Sequence, residues 1–549
     1  MQVYLDGVKA FEQTNTKSIS TSLTMAAGPH RLTVLAKDSA GIFKTTINFT
    51  VTGGGGTVAV TTWRNDLART GQNLHEITLT PSNVNATHFG KKFSYAVDGW
   101  IFAQPLIVPR VSIGGGTHNV VFVATQHDSV YAFDADGARS TAYWKKSFID
   151  PANGITTVPG SDVGATNEWG VTATPVIDRS TNTIYVLART KNTTNNTYAQ
   201  HLHALSLSTG AEKFGGPILI NACVTGTGAG TSNGQVCFDP LRENSRVALT
   251  LLHGVVYLAW ASIADIAPYH GWVIGYDADT LQMVGVLNTT PNGDAGGIWH
   301  SGGGLSSDGT NLYGITGNGT FNVSNNNYGD SFLKISFSGG HLGIVDYFTP
   351  FDQATLSSND LDLGSSAALL LPTNSSIHPH EIIGAGKNGH VYVVDLDVMG
   401  HFNSSNNSQI VQELSGLFPG GVYSTPAYFQ NKLYWVAPGD VIKQFSWTNG
   451  RMSTSPTAKG NHAFPYPGAS PAISANGTTN GIVWVVENGS SNAILHAYSA
   501  ANVSNQLYSS ATNPTRDSAG GSVKFVVPTI ANGKVYVGTQ SRLVVYGLL

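Results

Sequence analysis

Residues 130–137 read VYAFDADG, a short apolar strand followed by a turn. Seven later stretches repeat this pattern at intervals of about 50–70 residues, a spacing typical of four-stranded propeller blades with loop insertions. They are LHALSLSTG at 202–210, VIGYDADT at 273–280, LKISFSGG at 333–340, VYVVDLDV at 391–398, IKQFSWTNG at 442–450, LHAYSAAN at 495–502 and LVVYGLL at 543–549. The repeat therefore predicts an all-β fold, an eight-bladed β-propeller in which each stretch is the third strand of a blade.

A second repeated pattern predicts the innermost strands. Five apolar runs each contain a proline: FAQPLIV at 102–108, TATPVID at 172–178, YSTPAYF at 423–429, GASPAIS at 468–474 and KFVVPTI at 524–530. Proline has no backbone N–H to donate to a neighbouring strand, so it suits a strand with one unpartnered edge. We therefore expect these runs to line a central channel.

The eighth unit lacks a fourth strand, and the chain offers one elsewhere. The segment HFGKKFSYAVDG at 88–99 precedes the first inner strand and has no blade of its own. We expect Lys91–Val97 to pair with the C-terminal strand Arg542–Leu549, so that strands from the two ends of the propeller close the ring. An unpaired hydrophobic strand at this edge would invite aggregation.

The first 52 residues show alternating strands and turn signals, which predict a small or truncated immunoglobulin-like β module. A flexible glycine tract, GGGG at 53–56, follows it. The predicted domains are the β module at 1–52, a linker at 53–60 and the propeller at 61–549. The stretch TTWRNDLARTGQN at 61–73 is expected to lie on the propeller surface.

Composition limits the function classes. Charged residues make up 11% of the chain, against roughly 25% in typical soluble domains, and the neutral polar surface this implies is common in secreted all-β proteins. The net charge of −4 and the lack of a basic stripe argue against nucleic-acid binding. No apolar run approaches the roughly 20 residues that cross a bilayer. Residues 1–20 lack the apolar stretch of a signal peptide, so a secretion signal would lie upstream.

The two cysteines, Cys223 and Cys237, lie in a Gly/Thr-rich segment. Outside the cytoplasm a disulfide between them would stabilise the protein by roughly 3 kcal/mol in the chain-entropy model. Two unpaired thiols are the alternative. Secretion to the extracellular space or the periplasm is the predicted location.

Two of the repeats resemble those of pyrroloquinoline-quinone (PQQ) dehydrogenase-like propellers, which read roughly Y-A-L-D-x-x-T-G-x-x-x-W. Ala132, Asp134 and Trp144 fit the pattern in the first unit. Thr209 and Gly210 fit it in the second, together with Ala204, whereas Phe214 stands where tryptophan is usual. The resemblance covers about residues 88–549 and implies an eight-bladed quinoprotein-like architecture. The adjacent cysteine pair often seen in quinoprotein alcohol dehydrogenases is missing, and so is a C-x-x-C-H haem motif.

In a propeller, the loops on one face surround the channel mouth, and a concave mouth with a few polar groups is the default ligand site. The side chains expected to bind a cofactor or ligand there are Gln126, His127, Trp169, Arg246, Trp299, Lys387, Asn388, Tyr423 and Asn488. The resemblance implies PQQ and Ca²⁺ as the cofactors of such a site.

Three residues are candidates for catalysis. Glu168 and Asp362 could contribute oxygen ligands to Ca²⁺, and His300, beside Trp299, could act as a base near neutral pH. The alternatives stay open: solvated loop carboxylates, a tryptophan packed between blades and a hydrogen-bonded histidine. Lys387 could bind a carboxylate of PQQ or of an acidic substrate, or be an exposed turn lysine. His203 and His496 occupy equivalent strand positions, which favours a structural role for both over metal binding.

Three functions follow from these features. The favoured one is a secreted binding or scaffold protein whose mouth holds a small molecule or a glycan, such as a sugar, a polymer or a cell-surface ligand. The second is a PQQ- and Ca²⁺-dependent alcohol or sugar dehydrogenase that uses an external electron acceptor. The third is a structural subunit that assembles with its own copies through the edge of the immunoglobulin-like module.

Overall fold

The computed structural model describes residues 1–21, 23, 25, 28–38, 41–51, 57–165, 167–489 and 491–549. The glycine tract of the predicted linker, 53–56, lies outside these residues. In the described part of the chain, a small N-terminal sheet is followed by eight four-stranded antiparallel sheets, which we number blade 1 to blade 8.

The strands run from the inner to the outer edge of each blade. Blade 1 consists of Leu106–Ile113, Gly116–Thr125, Ser129–Asp134 and Trp144–Ser147, and blade 2 of Val176–Asp178, Thr183–Asn192, Thr197–Ser206 and Ile218–Leu219. Blade 3 consists of Thr250–Leu252, Val255–Ser262, Trp272–Asp277 and Met283–Asn288. Blade 4 consists of Ser306–Ser307, Leu312–Ile315, Phe332–Ser338 and His341–Thr349. In blades 5 and 6 they are Leu369–Leu370, Glu381–Ala385, Val391–Asp395 and Gln412–Leu414; and Ala427–Phe429, Lys432–Trp435, Asp440–Thr448 and Ala458–Phe464. In blades 7 and 8 they are Ala472–Asn476, Thr479–Glu487, Ile494–Ser499 and Gln506–Ser509; and Thr529–Ala531, Lys534–Gly538, Arg542–Leu548 and Phe89–Ala96.

Short elements decorate this framework. Additional strands on the blades are Gln72–Asn73, Ile155–Thr157, Glu243–Asn244, His401–Phe402 and Arg451–Met452, and two small hairpins are Cys223–Thr225 with Gln235–Cys237 and Phe321–Asn322 with Asn327–Tyr328. The α-helices of the described residues are Gln353–Ser358 and Pro514–Asp517, and the 3₁₀ turns are Pro151–Asn153, Gly160–Val163, His300–Gly302, Val323–Asn325 and Leu363–Ser365. The helices in this part of the chain fall short of the length and apolarity that a bilayer-crossing helix needs.

The fold is a β-propeller, as the sequence predicts. Every predicted third strand is the third strand of a blade, and five inner strands begin directly after the prolines that marked them. Because each of these prolines lies just before its strand, it takes no backbone N–H away from the hydrogen bonds of the sheet. The second and third strands carry most of the buried residues of each blade, as in the all-buried Val255–Ser262, because each blade is covered by a neighbour on both faces.

Pairing between the two ends of the propeller closes blade 8. Arg542–Leu548 pairs antiparallel with Phe89–Ala96, and Leu543 lies opposite Tyr95. This confirms the predicted closure. The inner ends of the blades are also joined by hydrogen bonds around the ring: Gln104 N to Thr174 Oγ1, Leu249 N to Thr174 O, Ala248 N to Gly303 O, Ser301 Oγ to Ser365 O, Ala367 N to Thr425 Oγ1, Thr425 N to Ser470 Oγ and Gln104 Nε2 to Thr529 Oγ1.

The tryptophan and glycine of the repeat motif connect blade 1 to blade 2. Trp144 Nε1 donates to the carbonyl of Leu207 at 2.9 Å. Gly210 has a φ of 69°, and a Cβ at this position would lie 2.7 Å from the Trp144 ring. The motif is therefore a packing device between neighbouring blades, which explains why it predicts the architecture and not an activity.

The segment 60–73 does not lie on the surface as predicted; it lies in the channel. Its backbone bonds to the free inner edges of the blades one after another, from Val60 with Ile107 in blade 1 to Gly71 with Ile473 in blade 7. Trp63, Arg64 and Arg69 are at most 2% exposed. This channel segment gives the inner strands the partner that their edges would otherwise lack.

The N-terminal residues form one sheet, in the order Val8–Glu12, Gln2–Leu5, Gly28–Asp38 and Gly41–Val51. Among the described residues no second sheet packs on it, so an immunoglobulin-like sandwich stays a prediction. The sheet contacts the propeller through turns between first and second, or third and fourth, strands; for example, His253 N donates to Gly7 O at 2.9 Å. We call this side the base face and the opposite side the mouth face.

Candidate functional site

A cavity of about 120 Å³ opens at the mouth face, at the centre of the ring. Its walls come from connections between blades and from loops between second and third strands. Five predicted residues line it: Arg246, Trp299, Asp362, Lys387 and Tyr423. The walls also contain Asp265, Ser301, Ser365, Tyr466, Lys524 and Phe525, which the sequence analysis did not select.

Two cations, Arg246 and Lys524, share the cavity without a salt bridge among the described residues, although Asp265 in the same wall acts on Arg246 at longer range and favours its charged form. The Arg246 guanidinium lies 5.8 Å from the ring centre of Trp299 and 5.3 Å from that of Phe525. Among the described residues, the side chains of Arg246 and Lys524 form no hydrogen bond or ion pair. Burial lowers the pKa of Arg246, and burial together with the Arg246 charge lowers the pKa of Lys524 to about 8. Both groups would gain from an anion in the cavity.

The third cation is already neutralised. Lys387 Nζ lies 2.7 Å from a carboxylate oxygen of Asp362 and 2.7 Å from one of Asp360. Burial disfavours its charged form, but the two carboxylates outweigh burial and raise the pKa of Lys387. Asp362 is 3% exposed and also accepts from the backbone N–H of Asn318 at 2.8 Å. Free positive charge is therefore concentrated at Arg246 and Lys524.

His300 is not placed as the predicted base. It is 1% exposed, and its Nε2 accepts a hydrogen bond from the backbone N–H of Ile315 at 2.9 Å. Burial lowers the pKa of His300 to about 3. The ring is therefore a neutral acceptor inside the fold, which corresponds to the structural alternative.

A second group of predicted residues lies apart, between blades 1 and 2. His127 Nδ1 is 2.9 Å from the Glu168 carboxylate, which also accepts from Thr157 Oγ1 at 2.7 Å. Gln126 Nε2 donates to Thr172 Oγ1, and Trp169 is 7% exposed. These side chains do not line the mouth cavity.

The two predicted asparagines also support their own loops. Asn388 Nδ2 donates to the hydroxyl of Tyr392 at 2.7 Å, and Asn488 Nδ2 donates to the carbonyl of Val486 at 3.1 Å. Neither residue lines the mouth cavity.

The missed residues Lys524 and Phe525 had a usable signal. They stand in KFVVPTI, which the sequence analysis treated as strand throughout, although the strand begins only at Thr529. Tyr423 occupies a similar place ahead of the proline in YSTPAYF and was selected. Because connections that lead into inner strands open at the mouth, residues a few positions before these prolines are candidates in every blade.

A larger cavity of about 1480 Å³ lies on the base face, between the N-terminal sheet and the channel segment. Several of its charged side chains have partners close by: Lys9 pairs with Asp279 at 3.3 Å, and Asp6 lies 2.6 Å from His30. Arg179 also lines this cavity and is exposed. We place the candidate ligand site at the mouth, because two cations that form no salt bridge among the described residues share a small cavity there.

The closed ring of eight sheets defines a β-propeller. No family model and no curated protein matches the sequence. Among solved structures, the chain is similar to quinohemoprotein alcohol dehydrogenase from Comamonas testosteroni, at 14% identity over 89% of this chain and 80% of that chain, with a TM-score of 0.56. It is also similar to a europium-containing methanol dehydrogenase, at 12% identity over 89% of this chain and 98% of that one, with a TM-score of 0.57. Such similarities establish the fold.

The residues present do not fit the PQQ–Ca²⁺ pair that this fold family implies. Ca²⁺ needs six to eight oxygen ligands, but Asp362 is bound to Lys387, and Glu168 lies outside the mouth cavity and binds His127. A cavity of about 120 Å³ is also small beside the roughly 300–1,000 Å³ of drug-sized ligand sites. Arg246 and Lys524 suit a carboxylate, so the site fits one acidic group and not the whole cofactor with its metal.

Proposed function

We propose that this protein is a secreted binding protein whose propeller mouth takes an acidic group of a sugar or polymer ligand. The observation that carries the proposal is the pair Arg246 and Lys524, which line one cavity and form no salt bridge or side-chain hydrogen bond among the described residues. Burying an unpaired cation costs free energy. An anion would recover that cost, and guanidinium groups bind carboxylates and phosphates in a bidentate manner.

The aromatic walls favour a ring next to the acidic group. Trp299, Tyr423, Tyr466 and Phe525 all contribute to the cavity. Aromatic faces pack against apolar ring surfaces, and their polar tips remain available for hydrogen bonds. The cavity volume admits one acidic group and a few neighbouring atoms, so the rest of a longer ligand would extend outward over the mouth face.

The proposed extracytoplasmic location rests on the disulfide. Cys223 and Cys237 are joined by an S–S bond of 2.04 Å between paired strands. Disulfides persist in oxidising compartments. The predicted division into a module at 1–52, a linker at 53–60 and a propeller at 61–549 stays a prediction; the described residues 57–60 pack on the propeller, where Val60 is fully buried.

Calorimetric titration with galacturonic acid and oligogalacturonate, with galactose as the neutral comparison, tests the binding function. We expect the acids to bind and galactose to bind much more weakly. The variant R246Q should raise the dissociation constant about 30-fold or more. The matched control R451Q replaces an exposed arginine at a base-face turn and should leave binding unchanged.

Two results would contradict the proposal. One is equal affinity for galactose and galacturonic acid, or no binding of any acidic probe. The other is dye reduction with alcohols or sugars after PQQ and Ca²⁺ are added to the purified protein, which would establish the dehydrogenase instead.

A second function, assembly with further copies of the chain, is favoured by the edge of the N-terminal sheet. Gly41–Val51 is an eleven-residue edge strand on which Ile42, Phe43 and Ile47 are 67%, 56% and 59% exposed. Long exposed edges of this kind accept strands from neighbours. Light scattering should show dimers or chains that I42K disrupts and that I377K, a change at a 90% exposed isoleucine on blade 5, does not. A monodisperse monomer would refute this assembly.

A further inference from the structure

Three potential metal ligands meet where blade 6 contacts blade 7. His462 lies on the outer strand of blade 6, whereas Glu487 and His496 lie on the second and third strands of blade 7. One ligand atom from each lies within 4.8 Å of the other two. Among the described residues this is the sole group of three or more histidine, cysteine, aspartate or glutamate side chains with such spacing.

The contacts within the group centre on one carboxylate oxygen. Glu487 Oε2 lies 2.6 Å from His462 Nε2 and 3.4 Å from His496 Nε2. Glu487 is 6% exposed and His496 is 2% exposed. The two imidazole rings are stacked, with centres 4.7 Å apart. Both nitrogens therefore point at the same buried oxygen.

His496 Nε2 is buried and makes no hydrogen bond within the described part of the chain, although Glu487 Oε2 lies 3.4 Å away. Buried polar atoms without a hydrogen bond are rare in native proteins and call for a physical explanation. The other ring nitrogen, Nδ1, lies 2.9 Å from the amide group of Gln506. Ligating histidines are usually oriented by a hydrogen bond at the second nitrogen, and the Gln506 amide oxygen can accept one when that group is turned.

The equivalent position in blade 2 shows that the repeat alone does not require this arrangement. His203 Nδ1 lies 2.7 Å from Glu212, and its ring stacks on Phe148. In the part of the chain that the structure describes, no second histidine joins that pair in a group of three. The structural role predicted for both histidines therefore accounts for His203. The same role does not explain why His462 and Glu487 both lie next to His496.

We propose that His462, Glu487 and His496 form a binding site for a divalent transition metal ion such as Zn²⁺. Two imidazoles and one carboxylate suit zinc and its neighbours, whereas Ca²⁺ prefers an all-oxygen set. Ligand atoms about 2.0–2.2 Å from a tetrahedral zinc lie roughly 3.5 Å apart. The separations here are 2.6 Å and 3.4 Å for the two contacts of Glu487 Oε2, and the third is at most 4.8 Å, so a small outward shift of His462 would give that spacing. The side chain of His462 is 38% exposed, so a fourth position faces solvent and can hold water.

Bound metal would tie the outer strand of blade 6 to blade 7. These strands belong to neighbouring sheets and exchange no ladder hydrogen bonds. Since the metal binds the folded chain, it should raise stability in proportion to the logarithm of its concentration above the dissociation constant. The site is separate from the mouth cavity, whose lining includes none of the three ligands.

Cobalt titration of the untagged, chelator-treated full chain tests the proposal. We expect one equivalent of Co²⁺ to produce visible d–d absorption bands, Zn²⁺ to displace it, and Zn²⁺ to raise the Tm. H462Q changes a partly exposed side chain and should retain the fold by circular dichroism while weakening metal affinity at least about 100-fold. H380Q is the matched control, because His380 is an exposed histidine 2.9 Å from Asp397.

Two outcomes would overturn the site. One is a chain that takes up less than about a tenth of an equivalent of Co²⁺ or Zn²⁺ with no change in Tm. The other is metal binding that H462Q and H380Q affect equally, because the metal would then sit elsewhere. The variant E487Q is a second test. A folded E487Q protein that binds Co²⁺ or Zn²⁺ with undiminished affinity would also contradict the site.

Discussion

The two ends of the propeller channel treat their arginines in opposite ways. In the channel segment, Arg69 donates to the carbonyls of Trp63 and Leu305 and to the hydroxyls of Thr62 and Thr250. At the mouth, the Arg246 guanidinium lies over the rings of Trp299 and Phe525 and has no hydrogen-bond acceptor within the described residues. Arg69 is fully buried and Arg246 is half-buried, and only Arg69 regains hydrogen bonds from the protein.

This difference in hydrogen bonding separates an arginine that stabilises the fold, Arg69, from one that is available to bind a ligand, Arg246. Arg69 connects the segment to the inner strands of blades 3 and 4, and Arg64 gives its guanidinium protons to the carbonyls of Thr425 and Pro426 in blade 6. The base end of the channel is thus held by cations whose terminal guanidinium nitrogens donate to the protein, although Arg64 Nε has no acceptor in the part of the chain that the structure describes. The mouth leaves its cations unsatisfied, which costs stability and provides a site for an anion.

The largest expected effect comes from Arg69→Met. The substitution removes the donor from four buried acceptors at the channel segment. Leu305 O and Thr250 Oγ1 keep the hydrogen bond between them, so the carbonyl of Trp63 and the hydroxyl of Thr62 lose their donor, at about 1–3 kcal/mol for each group left unpaired. We expect a loss of about 3–5 kcal/mol or more in the free energy of unfolding, measured as a drop of several degrees in Tm. The variant R451Q, at an exposed position, is the control. A Tm within one degree of the parent would show that the channel segment does not support the ring.

The second effect is on binding and leaves stability nearly unchanged. Arg246→Gln removes a cation that the fold does not use, so the Tm should stay within a few degrees of the parent while affinity for galacturonic acid falls by about 2 kcal/mol or more. Calorimetry and a thermal scan on the same preparation measure both quantities. If R246Q lowers the Tm as much as R69M does, the proposed contrast between the two channel ends is wrong.

The blades were predictable because their signal is local. The third strands alternate, end in turns and recur, and the closing strand could be located because one unit was a strand short. The channel segment was not predictable in this way. TTWRNDLARTGQN has no period of two or 3.6 and carries two arginines, which normally indicates an exposed segment. Its burial depends on carbonyl and hydroxyl acceptors from several blades that are far away in sequence.

The mouth was partly predictable for a topological reason. Arg246, Trp299, Lys387 and Tyr423 stand in connections that must open on one face, so the strand order alone brings them together. The role of His300 depends on how deeply its side chain is buried, and the position of a residue in a loop sequence does not reveal its burial. Lys524 was missed because its apolar neighbours made the stretch look like a continuous strand, and only the structure shows where that strand begins.

The third effect is a pH dependence of binding. The pKa of Lys524 is lowered to about 8 by burial and the Arg246 charge, so the side chain is mostly charged at pH 7 and mostly neutral at pH 9. Affinity for galacturonic acid, which stays ionised throughout, should fall about tenfold between these values. The variant K524M should bind weakly at both pH values and show little dependence. A parent affinity that is constant from pH 7 to 9 would remove Lys524 from the site.

The smallest effect concerns the cation that is already paired. Lys387→Gln exposes the charge of Asp362 to the cavity and should weaken acid binding about fivefold, because a buried carboxylate then repels the ligand. Adding Asp362→Asn removes that charge, and the double variant should bind within about twofold of the parent, as expected when coupled residues are removed together. Calorimetric titration of the single and double variants completes the cycle. If the double variant binds as poorly as R246Q, then Lys387 contacts the ligand directly, and the free positive charge of the mouth includes three side chains.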